Sequence, residues 1–438
     1  RAREFASEHV ASTRSPPMVV FPLLLALAHA AALSLAPRLH APAVTNPASR
    51  GAISPSSLES LRLDSHEVSA AAGTKQAFGK LHRPSGSLSA IAPQRRVRET
   101  TMIEKPIKVG VVGVTGAVGK EIVQVLGDRG FPMSQLRLFA SARSAGQKMD
   151  SSLGALAIEE FTLEAARECD VVFLAVSGDF ALEWAEKISE NDGPLVIDNS
   201  SAFRYDPSVP LIVPEINADA ARKSKRRLIA NPNCTTAIAL MALAPLHKLF
   251  GIKRCIISTY QAASGAGAPG MSELEEGVKA ISNGGKAENK VFAHVLPFNV
   301  IPHIDKFLDD QYTKEERKVT WETRKIMDLP DLPVSCTCVR IPTLRAHAEA
   351  ITIETERPVD IAAAFAALEA APGVALMDDT ANNVYPMPLT ATSKYDVEVG
   401  RVRKNDVFGD CGLDLFVCGD QLLRGAALNA VLIAEAVL

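Results

Sequence analysis

The chain has 438 residues, with 47 Lys and Arg against 50 Asp and Glu and a net charge of −3; this is long enough for two ordinary domains, and the balance argues against general nucleic-acid binding. The charge is unevenly placed, because residues 1–100 hold 12 Lys and Arg against 6 Asp and Glu, leaving 35 against 44 in the rest. Seven scattered cysteines argue against a disulfide scaffold, and Cys336-Thr337-Cys338 lacks the Cys-x-x-Cys spacing of zinc sites, so reduced thiols and no metal are expected.

An apolar run from Met18 to Ala28 ends in small residues through Ser34 and is too short and too broken by Pro22 and His29 for a membrane span, so it reads as a signal-peptide core. Residues 37–98 are rich in Ser, Ala, Pro and Arg, and no acidic residue occurs between Glu8 and Glu59, as in a transit peptide. Together they resemble the two-part presequence of proteins sent to plastids with extra bounding membranes. The expectation is a targeting presequence over residues 1–102 and a stromal destination, with the cytoplasm otherwise; a disordered tail without an address is the alternative. No other segment is long and apolar enough to span a bilayer, so the mature body is expected to have no membrane partner.

The globular part opens with Ile107-Lys108-Val109-Gly110-Val111-Val112, a glycine turn, and the helical period of Lys120 to Leu126, the order of a first βα unit. In that turn, Gly113, Thr115, Gly116, Ala117, Val118 and Gly119 form a Gly-x-x-Gly-x-x-Gly pattern that lets backbone approach a pyrophosphate at a helix N-terminus. A tight turn with no ligand is the bland reading. The next strand, Leu136 to Ala140, runs into Ser141, Arg143 and Ser144 instead of the acidic residue that would hold a ribose diol; hydroxyls and a guanidinium there favour NADP, unless Arg143 is simply a solvated arginine. Further strands end at Ser177-Gly178 and at Asn199, where loops would line a cofactor crevice of a doubly wound parallel sheet. Arg204 follows such an end and would meet either an anion or a neighbouring carboxylate.

In Asn231-Pro232-Asn233-Cys234-Thr235-Thr236, Asn233 is a good N-cap and Cys234 falls in the first helical turn. Free N–H groups and the helix dipole there favour a thiolate, so Cys234 is a candidate nucleophile, with an inert core cysteine as the alternative. Downstream, Thr259-Tyr260-Gln261 leads a strand into a glycine-rich loop, and Arg340 precedes His347 by seven residues.

With the Gly113 turn, Ser141-Ala142-Arg143-Ser144, Asn231-Pro232-Asn233-Cys234, Thr259-Tyr260-Gln261, Arg340 with His347, and Gly419-Asp420-Gln421-Leu422-Leu423-Arg424-Gly425, the chain resembles aspartate-β-semialdehyde dehydrogenases from about Ile107 to Leu438. The resemblance implies Cys234 as the attacking thiol, His347 as general acid/base and Gln261 as the residue positioning the acyl intermediate. It makes Arg340 the clamp on the substrate carboxylate, Glu315 the partner of the amine, Lys318 and Arg204 the phosphate contacts, and Gln421 a neighbour of the nicotinamide. With an unperturbed pKa of about 6.5, His347 can accept a proton from the thiol and donate one to the collapsing oxyanion or departing thiolate. The implied reaction is NADPH-dependent reduction of aspartyl phosphate through a cysteine thioester, in biosynthesis of lysine, threonine, methionine and isoleucine.

The implied architecture is a Rossmann-type doubly wound parallel sheet plus an α+β catalytic and dimerisation domain with a largely antiparallel sheet. The first is expected over 103–233 with completion by 413–438, the second over 234–412, and the assembly as a homodimer or homotetramer. The rival readings are N-acetyl-γ-glutamyl-phosphate reductase, which would lack an amine partner such as Glu315, and an inactive NADP-binding regulatory relative, against which the joint presence of Cys234, Gln261, Arg340 and His347 argues.

Overall fold

The computed structural model describes residues 106–438, and the presequence expected over 1–102 lies outside the described residues. The first layer is a seven-stranded sheet built from β1 (Ile107–Val112), β2 (Met133–Ala140), β3 (Lys148–Ser151), β4 (Gly154–Glu160), β5 (Val171–Leu174), β6 (Leu195–Asp198) and β7 (Leu228–Ala230). Its order is β3-β4-β2-β1-β5-β6-β7, parallel except for the β3/β4 hairpin at one edge. The inner strands are unbroken apolar runs because both faces are covered. Val109 and Val111 pack with helices α1 (Ala117–Asp128) and α10 (Leu428–Val437), while Val112 joins α3 (Gly178–Ser189) on the opposite face, beside the short α2 (Leu163–Arg167). A fully buried side chain such as Ile122 or Leu126 contributes about 1.5–3 kcal/mol there.

The second layer holds β8 (Ile252–Gln261), β9 (Val334–Arg340), β10 (His347–Thr355), β11 (Val374–Leu376), β12 (Val397–Lys404) and β13 (Gly412–Gly419), in the order β11-β12-β13-β10-β8-β9. The three central pairings are antiparallel and the two outer ones parallel. The expected return to the first layer from residue 413 needs correction: β13 pairs with β10 and β12, so its alternating apolar residues serve the second sheet. Only the segment after Gly419, ending in α10, packs back onto the first.

Between the layers runs α5 (Cys234–Phe250), apolar around almost its whole circumference and nearly all buried, as expected of a helix with no solvent face. Its Ile238, Leu240 and Leu243 share one apolar cluster with Val112 and Phe139 of the first sheet and Ile257, Ile351 and Val417 of the second. Helix α7 (Lys314–Met327) lies against α5 and β9, and α8 (Ile361–Ala370) against α5. Helices α4 (Pro214–Lys223), α6 (Gly267–Ser282) and α9 (Pro388–Ala391) complete the described body. No helix among the described residues is long and apolar enough to cross a membrane.

Candidate active site

Strand register brings the separated motifs to one sheet end. Gln261, the last residue of β8, is paired with Arg340, the last of β9, and the β8/β10 pairing of Tyr260 with Ala348 puts His347 at the same end. The seven-residue spacing from Arg340 to His347 is therefore the length of the turn that reverses the chain from β9 to β10. From between the layers, α5 presents Cys234 at its first turn, and a cleft of about 440 Å³ is lined by Cys234, Gln261, Arg340, Glu315, Lys318 and Arg204 together with Val118 of α1, Asn199 and Gln421.

Asn233 locks the start of α5. Its Oδ1 accepts from Thr235 N–H at 3.0 Å and Thr236 N–H at 3.2 Å, its Nδ2 donates to Glu315 Oε1 at 2.9 Å, and its own N–H donates to Glu322 Oε2 at 2.5 Å. On the far side of the thiol the chain forms a π-helix over Leu423–Ala427, where a Cβ on Gly425 would lie 2.5 Å from the Cβ of Cys234. Only glycine fits there. The expected lowering of the thiol pKa by the helix N-terminus is corrected by its surroundings: burial, followed by the charge of Glu315, pushes Cys234 up to about 12, against the pull of Arg204 and Arg340. Desolvation thus favours the neutral thiol over the thiolate.

Of the charged residues, Glu315, Arg204 and Arg340 are buried and Lys318 half-buried, and all but Arg340 sit in ion pairs. Burial works against the charge of Glu315, but Lys318 and the amides of Asn233 and Gln261 hold its pKa down at about 2. Lys318 Nζ bridges Glu315 Oε2 at 2.9 Å and Asp305 Oδ2 at 2.8 Å. Gln261 Nε2 donates to Glu315 Oε1 at 3.2 Å and its Oε1 accepts from Thr259 Oγ1 at 3.1 Å. Arg340 Nη1 donates to Ala262 O at 2.6 Å, and the guanidinium lies over Phe292. Of the two readings left open for Arg204, the carboxylate is seen, in a pair with buried Glu322 at 3.1 Å; Arg204 also lines the cleft.

His347 is fully buried, and its Nδ1 accepts from Ala262 N–H at 3.0 Å. Burial and then the charge of Arg340 depress its pKa to about 3, below the ordinary value of 6.5. A neutral imidazole that accepts at Nδ1 carries its proton on Nε2. That Nε2 has no partner, and no hydrogen bond joins His347 to Cys234; the ring sits behind Gly265, whose Cβ position is 3.3 Å from Nε2. Gln421 ties this corner together by accepting from Ala346 N–H at 2.8 Å and donating to Ser264 Oγ.

The nucleotide turn is open by contrast. At Gly113, φ is +85° and a Cβ would strike Ala175 O at 2.2 Å, so the close crossing of strand and turn requires glycine. Helix α1 begins at Ala117 with no side-chain cap on its N–H groups and no acidic residue in its first turn, and Gly119 in that turn packs against the backbone of Gly113 and Val114. This cradle fits an anionic dinucleotide. Thr115, Gly116, Ser141 and Arg143 are exposed and Ser144 half-buried, and Arg143 makes no ion pair or hydrogen bond among the described residues. Ser177 and Gly178 start α3, with Ser177 Oγ capping Phe180 N–H, and Asn199 spends its amide on Leu174 O and Asn231.

The semialdehyde dehydrogenase NAD-binding domain model matches residues 108–224, and the semialdehyde dehydrogenase dimerisation domain model matches residues 243–424. The aspartate-semialdehyde dehydrogenase of Synechocystis is 45% identical over 330 residues, 75% of this chain and 97% of the relative, and that of Aquifex aeolicus is 44% identical over 336 residues, 75% and 97%. The chain belongs to the aspartate-semialdehyde dehydrogenase family. A crystal structure of aspartate semialdehyde dehydrogenase II from Vibrio cholerae, complexed with ASA, superposes with a TM-score of 0.72 at 39% identity, covering 76% of this chain and 98% of that one. Aspartate-semialdehyde dehydrogenase activity, a nucleotide-binding domain and a dimerisation domain go with that membership.

Within this aspartate-semialdehyde dehydrogenase fold, sequence reasoning overlooked Glu322, Lys325 and Ser264 and took Asn233 for a helix cap alone. A signal was present for two of them. Glu315, Lys318, Glu322 and Lys325 recur at spacings of three and four, a single stripe of a helix; polar residues gave no reason to expect that this stripe faces inward.

Proposed function

We propose that the chain catalyses the reductive dephosphorylation of L-aspartyl-4-phosphate to L-aspartate 4-semialdehyde with NADPH, in biosynthesis of lysine, threonine, methionine and isoleucine. The observation that carries this reading is one cleft in which a thiol shares its walls with Arg340 and Glu315, suited to an amino acid's carboxylate and amine, and with Arg204 and Lys318, suited to phosphate. Cys234 Sγ attacks the acyl carbon and phosphate leaves, so a thioester replaces the acyl phosphate. Gln261 positions that intermediate. When bound, NADPH supplies the hydride that reduces the thioester carbon.

His347 serves as the acid/base. In its present tautomer Nε2–H is a donor, fitted to the collapsing oxyanion or departing thiolate; accepting the thiol proton requires release of the Ala262 N–H bond. Because burial holds the pKa of Cys234 up, its attack depends on a base to take the thiol proton. The cofactor reading rests on the cradle and on Ser141, Arg143 and Ser144, which offer donors to a 2′-phosphate where an NAD site would place a carboxylate. Gln421 shapes the nicotinamide end through Ser264 and Ala346.

The deciding assay is run in reverse, following NADP reduction by aspartate semialdehyde with and without phosphate, and with NAD as control. Phosphate-dependent turnover with NADP is expected; no turnover would sink the reading, and equal use of NAD would sink the 2′-phosphate argument. We also infer pairing through the second sheet, whose outer face exposes Ile256 and Tyr260; a strictly monomeric sedimentation profile would refute it. Delivery to the plastid is tested by fusing residues 18–102 to a fluorescent protein, with cytosolic fluorescence as the contrary outcome.

A further inference from the structure

Glu315, Lys318, Glu322 and Lys325 lie along one stripe of helix α7. Glu315 and Lys318 belong to the site already described; Glu322, one turn further, has no exposed surface at all. A carboxylate so placed persists only with good partners; besides the phenol of Tyr205, which donates to Oε1 at 3.4 Å, those of Glu322 are two parts of the reaction centre. Its Oε2 accepts the N–H of Asn233, the residue preceding the thiol, at 2.5 Å; its Oε1 accepts from Arg204 Nη1 at 3.1 Å. Lys325, the next residue on the stripe, donates to the carbonyls of Arg204 at 2.9 Å, Asp206 at 2.7 Å and Val209 at 2.9 Å, pinning the segment that carries Arg204. Arg204 also donates from Nε to Asn231 O and from Nη2 to Asn199 O, which leaves N–H groups of the guanidinium for the cleft it lines.

We propose that Glu322 is a positioning residue for the anion half of the site: one carboxylate holds the guanidinium of Arg204 and the backbone before Cys234, and so sets where phosphate lies relative to the thiol. The proposal rests on the reading of Arg204 as a phosphate contact. Two acceptor oxygens are needed because the two donors come from separate elements. An amide has one, and its NH₂ would face either a guanidinium or a backbone N–H, donor against donor. Glu322→Gln must therefore release one of them. The sign of the result is diagnostic. Removing a negative charge beside Arg204 would by charge alone tighten phosphate binding, whereas loss of position weakens it.

The test measures reverse turnover of the purified protein and Glu322→Gln against inorganic phosphate, semialdehyde and NADP in turn, and separately the NADPH burst on rapid mixing without phosphate. The expected result is a KM for phosphate raised about tenfold or more, with the KM for NADP within about twofold and the burst amplitude kept. An unchanged or lowered phosphate KM overturns the proposal, as do parallel rises in all three constants, which mark a general structural defect. If Glu322→Gln does not fold, Glu322→Asp carries the test: its carboxylate is charged but one methylene short, and a phosphate KM raised about threefold is expected, an unchanged one overturning the proposal. A wild-type protein with neither burst nor phosphate dependence would instead remove the functional reading beneath it.

Discussion

On the thiol wall of the cleft, Asn233, Glu315, Arg204 and Glu322 are buried and, with half-buried Lys318, joined by hydrogen bonds and ion pairs; on the nucleotide wall, Thr115, Ser141 and Arg143 are exposed and the helix N-terminus of α1 carries no side-chain cap. The first wall is a network whose charges are satisfied by one another, so removing one member leaves another buried and unpaired. The second is a backbone cradle whose side chains wait on a ligand. Substitutions on the thiol wall should thus damage chemistry and folding together, and those on the nucleotide wall should damage only binding.

The largest effect expected is from Cys234→Ala, which should reduce turnover by more than about 10⁴-fold while leaving NADP binding measurable by fluorescence titration. Lost cofactor binding would merge the two walls. Glu315→Gln should cost about 3 kcal/mol of stability in urea unfolding, because it removes the carboxylate that Lys318, Asn233 and Gln261 share; a variant as stable as wild type would show the network to be slack. Arg340→Lys trades a two-pronged donor for a point charge and should lower kcat/KM for the semialdehyde by about ten- to a hundredfold, with unchanged kinetics contradicting the clamp. On the other wall, Arg143→Ala should weaken NADP binding by about tenfold and leave NAD binding unchanged; equal loss for both would remove the discriminating role.

Acid acts on two buried groups beside the thiol. The folded pKa of Glu315 lies below its ordinary value of 4.5, so its stabilisation is full above that value and is lost as pH falls toward about 2. His347 is neutral in the fold with a pKa near 3, whereas the unfolded chain takes up its proton below 6.5; stability should fall as pH drops through that window. Urea unfolding between pH 7 and pH 4 should show the loss, and His347→Gln should flatten its upper part. A wild-type curve that is flat over this range would contradict the burial of the imidazole.

Much of the fold was legible because it is local. The apolar run of β1, the glycine turn and the helical period after it identify a βα unit by themselves, and Asn233 before an apolar helix marks the start of α5. Sheet membership is different: the alternation in β13 shows a strand but not which sheet it joins, and so its place beside β10 was missed. The cleft residues were legible as separated motifs, whereas their state was not. Cys234 looked activated and His347 ordinary because neighbouring sequence carries the dipole and the residue type but not the desolvation, which comes with segments remote in the chain: Ala262 and Gly265 against the imidazole and Gly425 against the thiol. Glu322 was hidden for the same reason, since polarity on a helix stripe reads as a solvent face until its neighbours are in place.

The most direct test is rapid mixing of the protein with aspartate semialdehyde and NADP in the absence of phosphate. Thiol chemistry predicts a burst of about one NADPH per active site as the thioester forms, then arrest until phosphate is added. Steady turnover without a burst, or no NADPH until phosphate arrives, would contradict Cys234 as the carrier of the acyl group.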